Sequence, residues 1–360
     1  MRPRTHVAAA GALALLATGA CLARRAPRPP APPDCGSTNG AVAATPRPTT
    51  PNPPAASPPL RVVADVPLPG PAVRFDYQSV DPAAGRLYVA HMNAGTLLVF
   101  DTRARRVIAD LPGFPSVHGV RAVSELGKVY ASVTGRREVA VVDAASLRTV
   151  ARLGPIRYPD GIAYAPGSKR IYVSDESSAG RELVIDGTTD RVTETIALGG
   201  EAGNTVYDPG SRCVLVAVQT RNQVVAIDPR DDSIIGRYAL EGASHPHGLA
   251  VDPARRLLFV ANEGNATLSV VDLNRMRVLS KHRVGEDPDV LAFDPGLGRL
   301  YVAAESGTVS VFRVQGRELV REGDLRMPHA HTVAVDPSTH LVYFPLQNVN
   351  GRPVLRIMAP

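Results

Sequence analysis

One short pattern returns seven times along the chain at almost constant spacing, and few architectures can accommodate that. Six copies read SVDPAAGRLYVA, YAPGSKRIYVS, VYDPGSRCVLVA, AVDPARRLLFVA, AFDPGLGRLYVA and AVDPSTHLVYFP, and a weaker one, AVSELGKVYAS, starts at Ala122. Aligned, they put Tyr88, Tyr130, Tyr172, Leu215, Phe259, Tyr301 and Tyr343 in register at intervals of 42, 42, 43, 44, 42 and 42 residues. A period of this size is the mark of stacked supersecondary units. Within residues 247–284 the unit divides into four runs, HGLAV, LLFVAN, TLSVVD and RVLSKHRV, separated by DPARR, EGNA and LNRM. Apolar and β-branched residues alternate in the runs, and Asp-Pro or Gly marks the turns. The third run usually ends in aspartate (Asp101, Asp143, Asp186, Asp228, Asp272), whose carboxylate can accept from the backbone of the following turn.

Four short strands per unit, seven times over, predict an all-β chain: a seven-bladed β-propeller with four antiparallel strands per blade. The seventh unit ends at PVLRIMAP without a fourth run, while RVVADVPLPG at 61–70 closely matches the fourth run of unit one, RVIADLPG. The N-terminal strand is therefore expected to complete the last blade and leave no open seam. The tyrosine register should lie buried between blades.

The segment ahead of the repeats has a different character. Arg2 and Arg4 precede an apolar stretch from Val7 to Thr18 that ends in Gly19–Ala20–Cys21, the layout of a secretory signal over 1–20. TGAC is similar to a bacterial lipoprotein box with Cys21 acylated, although Thr18 stands where an aliphatic residue is usual. Residues 21–59 read as a disordered stalk, with 12 prolines between positions 26 and 59, and the propeller occupies 60–360. The expected location is extracytoplasmic, in a periplasm or at a cell surface, with a lipid anchor as the one membrane contact. Residues 1–59 hold six arginines and one acid, so the remaining residues carry 34 basic and 33 acidic groups of the chain's 40 and 34. A body so nearly neutral lacks the basic excess that nucleic-acid binding requires. Cys35 of the stalk and Cys213 of the body could in principle pair, but nothing in the sequence brings the stalk to Cys213, so two unpaired thiols are expected, in a monomeric protein.

The units resemble the YVTN/YncE family of bacterial β-propeller proteins over 61–357, most closely in ANEGNATLSVVD at 261–272. The YVTN tetrapeptide itself is replaced by YVAH, YASV, YVSD, LVAV, FVAN, YVAA and YFPL. The resemblance implies a seven-bladed propeller outside the cytoplasm and says little about activity.

Register also selects the residues at the mouth of the central channel. Five positions before each Asp-Pro turn stand Asp76, His118, Asp160, Gly203, His247, Asp289 and His331; seven before it stand Arg74, Ser116, Tyr158, Glu201, His245, Asp287 and His329. Alternation along a strand would put both rows on one face. The second strand returns to the same mouth and ends in Thr134, Glu176, Gln219, Glu263, Glu305 and Gln347, with Met92 beside His91 in unit one. A ligand pocket is expected from Asp76, His118, Asp160, Asn204, Glu176, Gln219, Glu263, Glu305 and Gln347. Three readings stay open. His245, His247, Asp287, Asp289, His329 and His331 could bind a transition metal (Zn, Cu or Fe), since imidazole and carboxylate suit such ions. A histidine beside a carboxylate could act as an acid–base pair in a hydrolase or lyase, metal-dependent or not. The same face could serve a plain binding module for a small molecule, a glycan or an envelope protein. A G-x-S-x-G elbow is absent from the sequence.

Overall fold

The computed structural model describes residues 58–360; the signal segment, the acylation candidate Cys21 and nearly all of the stalk lie outside the described residues. The chain forms seven sheets, each of four antiparallel strands. Six blades are built from consecutive strands, as in Pro246–Asp252, Leu257–Asn262, Thr267–Asp272 and Arg277–Arg283 of blade five. Blade seven combines Ala334–Val335, Val342–Val349 and Arg352–Ala359 with Arg61–Pro67 from the other end of the described chain. That pairing runs antiparallel from Arg61 opposite Ala359 to Pro67 opposite Val354, and Arg356 adds a two-pronged ion pair to Asp65. The closure expected from the misplaced fourth run is therefore present.

The core lies between blades. Tyr88, Tyr130, Tyr172, Leu215, Phe259, Tyr301 and Tyr343 are all fully buried, because each second strand sandwiches its central side chain between neighbouring sheets. Some of these rings also tie blades together. The hydroxyls of Tyr130 and Tyr172 donate to Asp190 and Asp232 of the next blade, where Lys128 and Arg170 pair with the same carboxylates. The aspartates ending the third strands turn onto the backbone ahead: Asp101, Asp186, Asp228 and Asp272 accept from the amide two residues on, and Asp143 from that of Ser146.

The expectation for the cysteines is overturned. Cys213, on the second strand of blade four, is held in a disulfide; the other two cysteines, Cys21 and Cys35, lie outside the described residues. Periodicity orders the blades and says nothing of which cysteines are joined, so the repeat pattern gives no sign of that bond.

Candidate functional site

Five innermost strands share one irregularity, and it builds the site. In blades two to six the pairing between first and second strand breaks at the same place: Val117/Val120, Pro159/Ile162, Ala202/Thr205, Pro246/Leu249 and Pro288/Leu291. Two residues of the inner strand face one on its partner there, which is a β-bulge, a device that re-aims side chains. The bulged pairs begin with His118, Asp160, Gly203, His247 and Asp289, the row five before the turn. Glycine follows in the second bulge position where space runs out. A Cβ on Gly248 would stand 1.8 Å from the Asp289 carbonyl oxygen, so glycine lets blades five and six bring their bulges together. At Gly203 a side chain would meet the His247 ring at 2.8 Å.

The result is a cavity of about 200 Å³. Asp76, Asp160, Glu176, Glu263, Asp289 and Glu305 line it, with His118, His247, Tyr77, Tyr158, Met92 and a single guanidinium, Arg74. His247 sits among the carboxylates. Its Nδ1 is 2.8 Å from a Glu263 oxygen and 3.1 Å from Asp289 Oδ1, while Nε2 stands 3.5 Å from Asp160 Oδ2 and 3.6 Å from Glu176 Oε1. His331 Nε2 lies 3.8 Å from Asp76 Oδ1 and 4.0 Å from Asp289 Oδ2. Both Nε2 atoms are buried without a hydrogen-bond partner. His118 is tied down differently: its Nδ1–H donates to the Ser116 carbonyl, and Nε2 accepts from the Tyr158 hydroxyl at 3.2 Å. At the rim Arg74 pairs with Glu305 at 2.8 Å.

So many acids in a small space alter one another's protonation. Burial pushes the Glu176 carboxyl up to about 8, with the Asp160 charge adding to it. Burial works against charge on His247, but Asp160, Asp289 and Glu263 outweigh it and hold the imidazole well above its usual range. His331 is likewise raised, by Asp76 and Asp289 against its burial. The Tyr77 hydroxyl, 3.5 Å from Asp160 Oδ2, is raised by burial and by Asp160. Among the described residues, three groups combine histidine and carboxylate donors closely enough to hold a metal ion: Asp76, Asp289 and His331; Asp160, Glu176 and His247; and His247, Glu263 and Asp289.

The row seven before the turn does not behave as strand alternation predicts. His245, Asp287 and His329 are exposed, with φ of 47°, 51° and 66°. They occupy left-handed turn positions before the strand begins, which breaks the two-residue period and directs them away from His247, Asp289 and His331. Arg74 and Tyr158 share that row without a left-handed backbone and do line the cavity. Of the other expected residues, Gln219 donates to Glu176 Oε1 at 2.7 Å and to the Ala202 carbonyl, supporting the wall from behind. Asn204, in the second bulge position, is turned to the Thr205 amide and lies outside the lining, as does Gln347 on the extended second strand of blade seven. Tyr77 was not foreseen; it stands one residue after Asp76, and only the phase of the row around it could have pointed there.

No family model matches the sequence, and no curated protein matches it. Solved structures do. The chain is similar to Kuenenia stuttgartiensis hydrazine synthase, at 15% identity and a TM-score of 0.68 over 80% of this chain and 96% of that one. It is also similar to the WD40 repeats of RRP9 (11% identity, TM-score 0.71, 83% and 99% covered) and to U3-55K (11%, 0.70, 82% and 98%). At such identities the likeness is one of fold. It is a seven-bladed β-propeller.

Proposed function

We propose that this propeller is a binding module whose channel-mouth pocket captures a small cationic ligand. The observation that carries the reading is the lining: six carboxyl groups, of which burial pushes Glu176 up to about 8, face the Arg74 guanidinium and the His247 imidazole in about 200 Å³, so the acids outnumber the cationic side chains. An anionic or neutral ligand would leave that charge uncompensated in a concave site, whereas a cation is stabilised by it. The repeats' resemblance to the YVTN/YncE family fits an extracytoplasmic module, and the TGAC segment fits tethering through an acylated Cys21 on a proline-rich stalk. Transition-metal ions fall within this ligand class, as the donor groups permit.

Calorimetric titration of the propeller with divalent metals and with organic amines, alongside small carboxylates and neutral sugars, tests the reading. Binding is expected from the cations alone, and it should weaken strongly in Asp160→Asn. Preferential binding of the anions or sugars, or no cation binding at all, refutes it.

A further inference from the structure

Two buried histidines, His247 in the pocket lining and His331 behind the lining residues Asp76 and Asp289, share a geometry that hydrogen bonding does not explain. His247 and His331 are each 6% exposed, and the Nε2 of each has no hydrogen-bond partner. A buried imidazole nitrogen without a partner is costly. Carboxylates nonetheless flank both atoms, two apiece. For His247 these are Asp160 at 3.5 Å and Glu176 at 3.6 Å; for His331 they are Asp76 at 3.8 Å and Asp289 at 4.0 Å. Two donors each about 2.1 Å from one metal ion, at a tetrahedral angle, stand about 3.4 Å apart. The gaps around His247 fit that span, and those around His331 reach it by closing about half an ångström. They are too long for good hydrogen bonds and suit a shared cation.

We propose that the channel mouth holds two divalent transition-metal ions in adjacent stations, one in the pocket and one at its wall. The first is formed by His247 Nε2, Asp160 and Glu176, and the second by His331 Nε2, Asp76 and Asp289. This rests on the cationic-ligand reading above and specifies its ligand. Asp289 links the stations. Its Oδ2 faces the second, while its Oδ1 accepts the Nδ1–H of His247 at 3.1 Å, an interaction shared with Glu263. A carboxylate on the far nitrogen of a ligating histidine fixes the ring's tautomer and orientation. Asp289 is therefore a ligand of one ion and the positioning residue of the other. One imidazole and two carboxylates per ion favour borderline cations such as Mn²⁺, Fe²⁺ or Zn²⁺. Three protein donors leave each ion with open positions toward the cavity.

The test uses the full propeller stripped with a chelator and reloaded with Zn²⁺ or Mn²⁺, counted by elemental analysis after gel filtration and by calorimetry. Two equivalents per chain are expected. His331→Ala should keep only the first station, and Glu176→Gln only the second. Asp289→Asn should abolish the second station and weaken the first about 10- to 100-fold. Circular dichroism of each variant separates site loss from misfolding, and the parent's stoichiometry needs no variant at all. A parent that binds one equivalent, or a folded His331→Ala that still binds two, overturns the proposal. A folded Asp289→Asn that leaves the first station at full affinity removes the linkage. Zero metal with amine binding intact refutes the stations and spares the cationic reading; no cation binding of any kind refutes both.

Discussion

His282 should make the propeller acid-sensitive in a way that one substitution can isolate. It lies on the outer strand of blade five, opposite Leu268, and is 8% exposed. Its ring meets Phe312 edge-on at 5.5 Å, and the Ser280 hydroxyl donates to Nε2 at 3.1 Å. The Arg321 guanidinium covers the same phenyl ring at 4.7 Å. Burial, reinforced by that positive neighbour, lowers the imidazole from 6.5 to about 4. The folded state therefore binds this proton less readily than the unfolded chain. The resulting stability is present above pH 6.5 and is lost as pH falls toward 4. Linkage gives a loss of about 2 kcal/mol at pH 5 and about 3 kcal/mol at pH 4. His282→Leu keeps similar bulk and removes the titration. Urea unfolding of parent and variant at pH 7.5 and pH 5 cancels every other group that titrates in both. The parent should lose about 2 kcal/mol more than the variant over that interval. Parallel losses, or a His282 ring proton titrating near pH 6.5 by NMR in the folded protein, would refute the reasoning.

Three further outcomes follow from the packing. Glu182 is fully buried with neither carboxylate oxygen hydrogen-bonded, and burial pushes its pKa well above the carboxylate range against a weaker pull from Thr205. Its contribution is favourable at low pH and is lost as pH rises through the folded-state pKa, so Glu182→Leu should stabilise the protein at pH 8 by about 1–3 kcal/mol in urea melts; equal or lower stability speaks against a strained carboxylate. Phe259→Ala empties a fully buried position packed 5.5 Å from Phe293 and should cost about 3–5 kcal/mol, with a loss under 1 kcal/mol in the same melts meaning that the blades collapse onto the gap. Deleting residues 61–67 uncovers the edge of Arg352–Ala359 and should produce aggregates in light scattering; a soluble monomer with an unchanged melting temperature contradicts the closure.

The fold was legible because periodicity is a global signal. Seven aligned aromatic or aliphatic positions gave the blade number and the buried register, and a missing fourth run located its own replacement at Arg61. The site was legible only in part. His118, Asp160, His247 and Asp289 could be selected by counting back from the turn, since the bulge that carries them repeats with the blade. Strand alternation would set His245, Asp287 and His329 beside His247, Asp289 and His331, but these three residues have left-handed backbones and are exposed, a conformation the side chains themselves do not announce. Glu263 reaches His247 within blade five, from just past the end of the second strand, whereas the joining of Glu176 to His247 depends on a distance between blades three and five, which no single repeat encodes. Asn204, in the second bulge position, accepts from the Thr205 amide and is not part of the lining.

The seam in blade seven also has a consequence in time. Six blades consist of neighbouring segments and can form as the chain lengthens. Arg61–Pro67, by contrast, is translated roughly 290 residues ahead of its partner strand, a delay of about 15–60 s at ordinary synthesis rates. Throughout that interval an alternating, edge-forming segment has no mate, and the contact it awaits spans almost the whole propeller, the kind of closure that slows folding most. On this topology blade seven is expected to assemble last. Any factor that holds the early strand out of wrong pairings, whether its own charges or a chaperone, acts within that window.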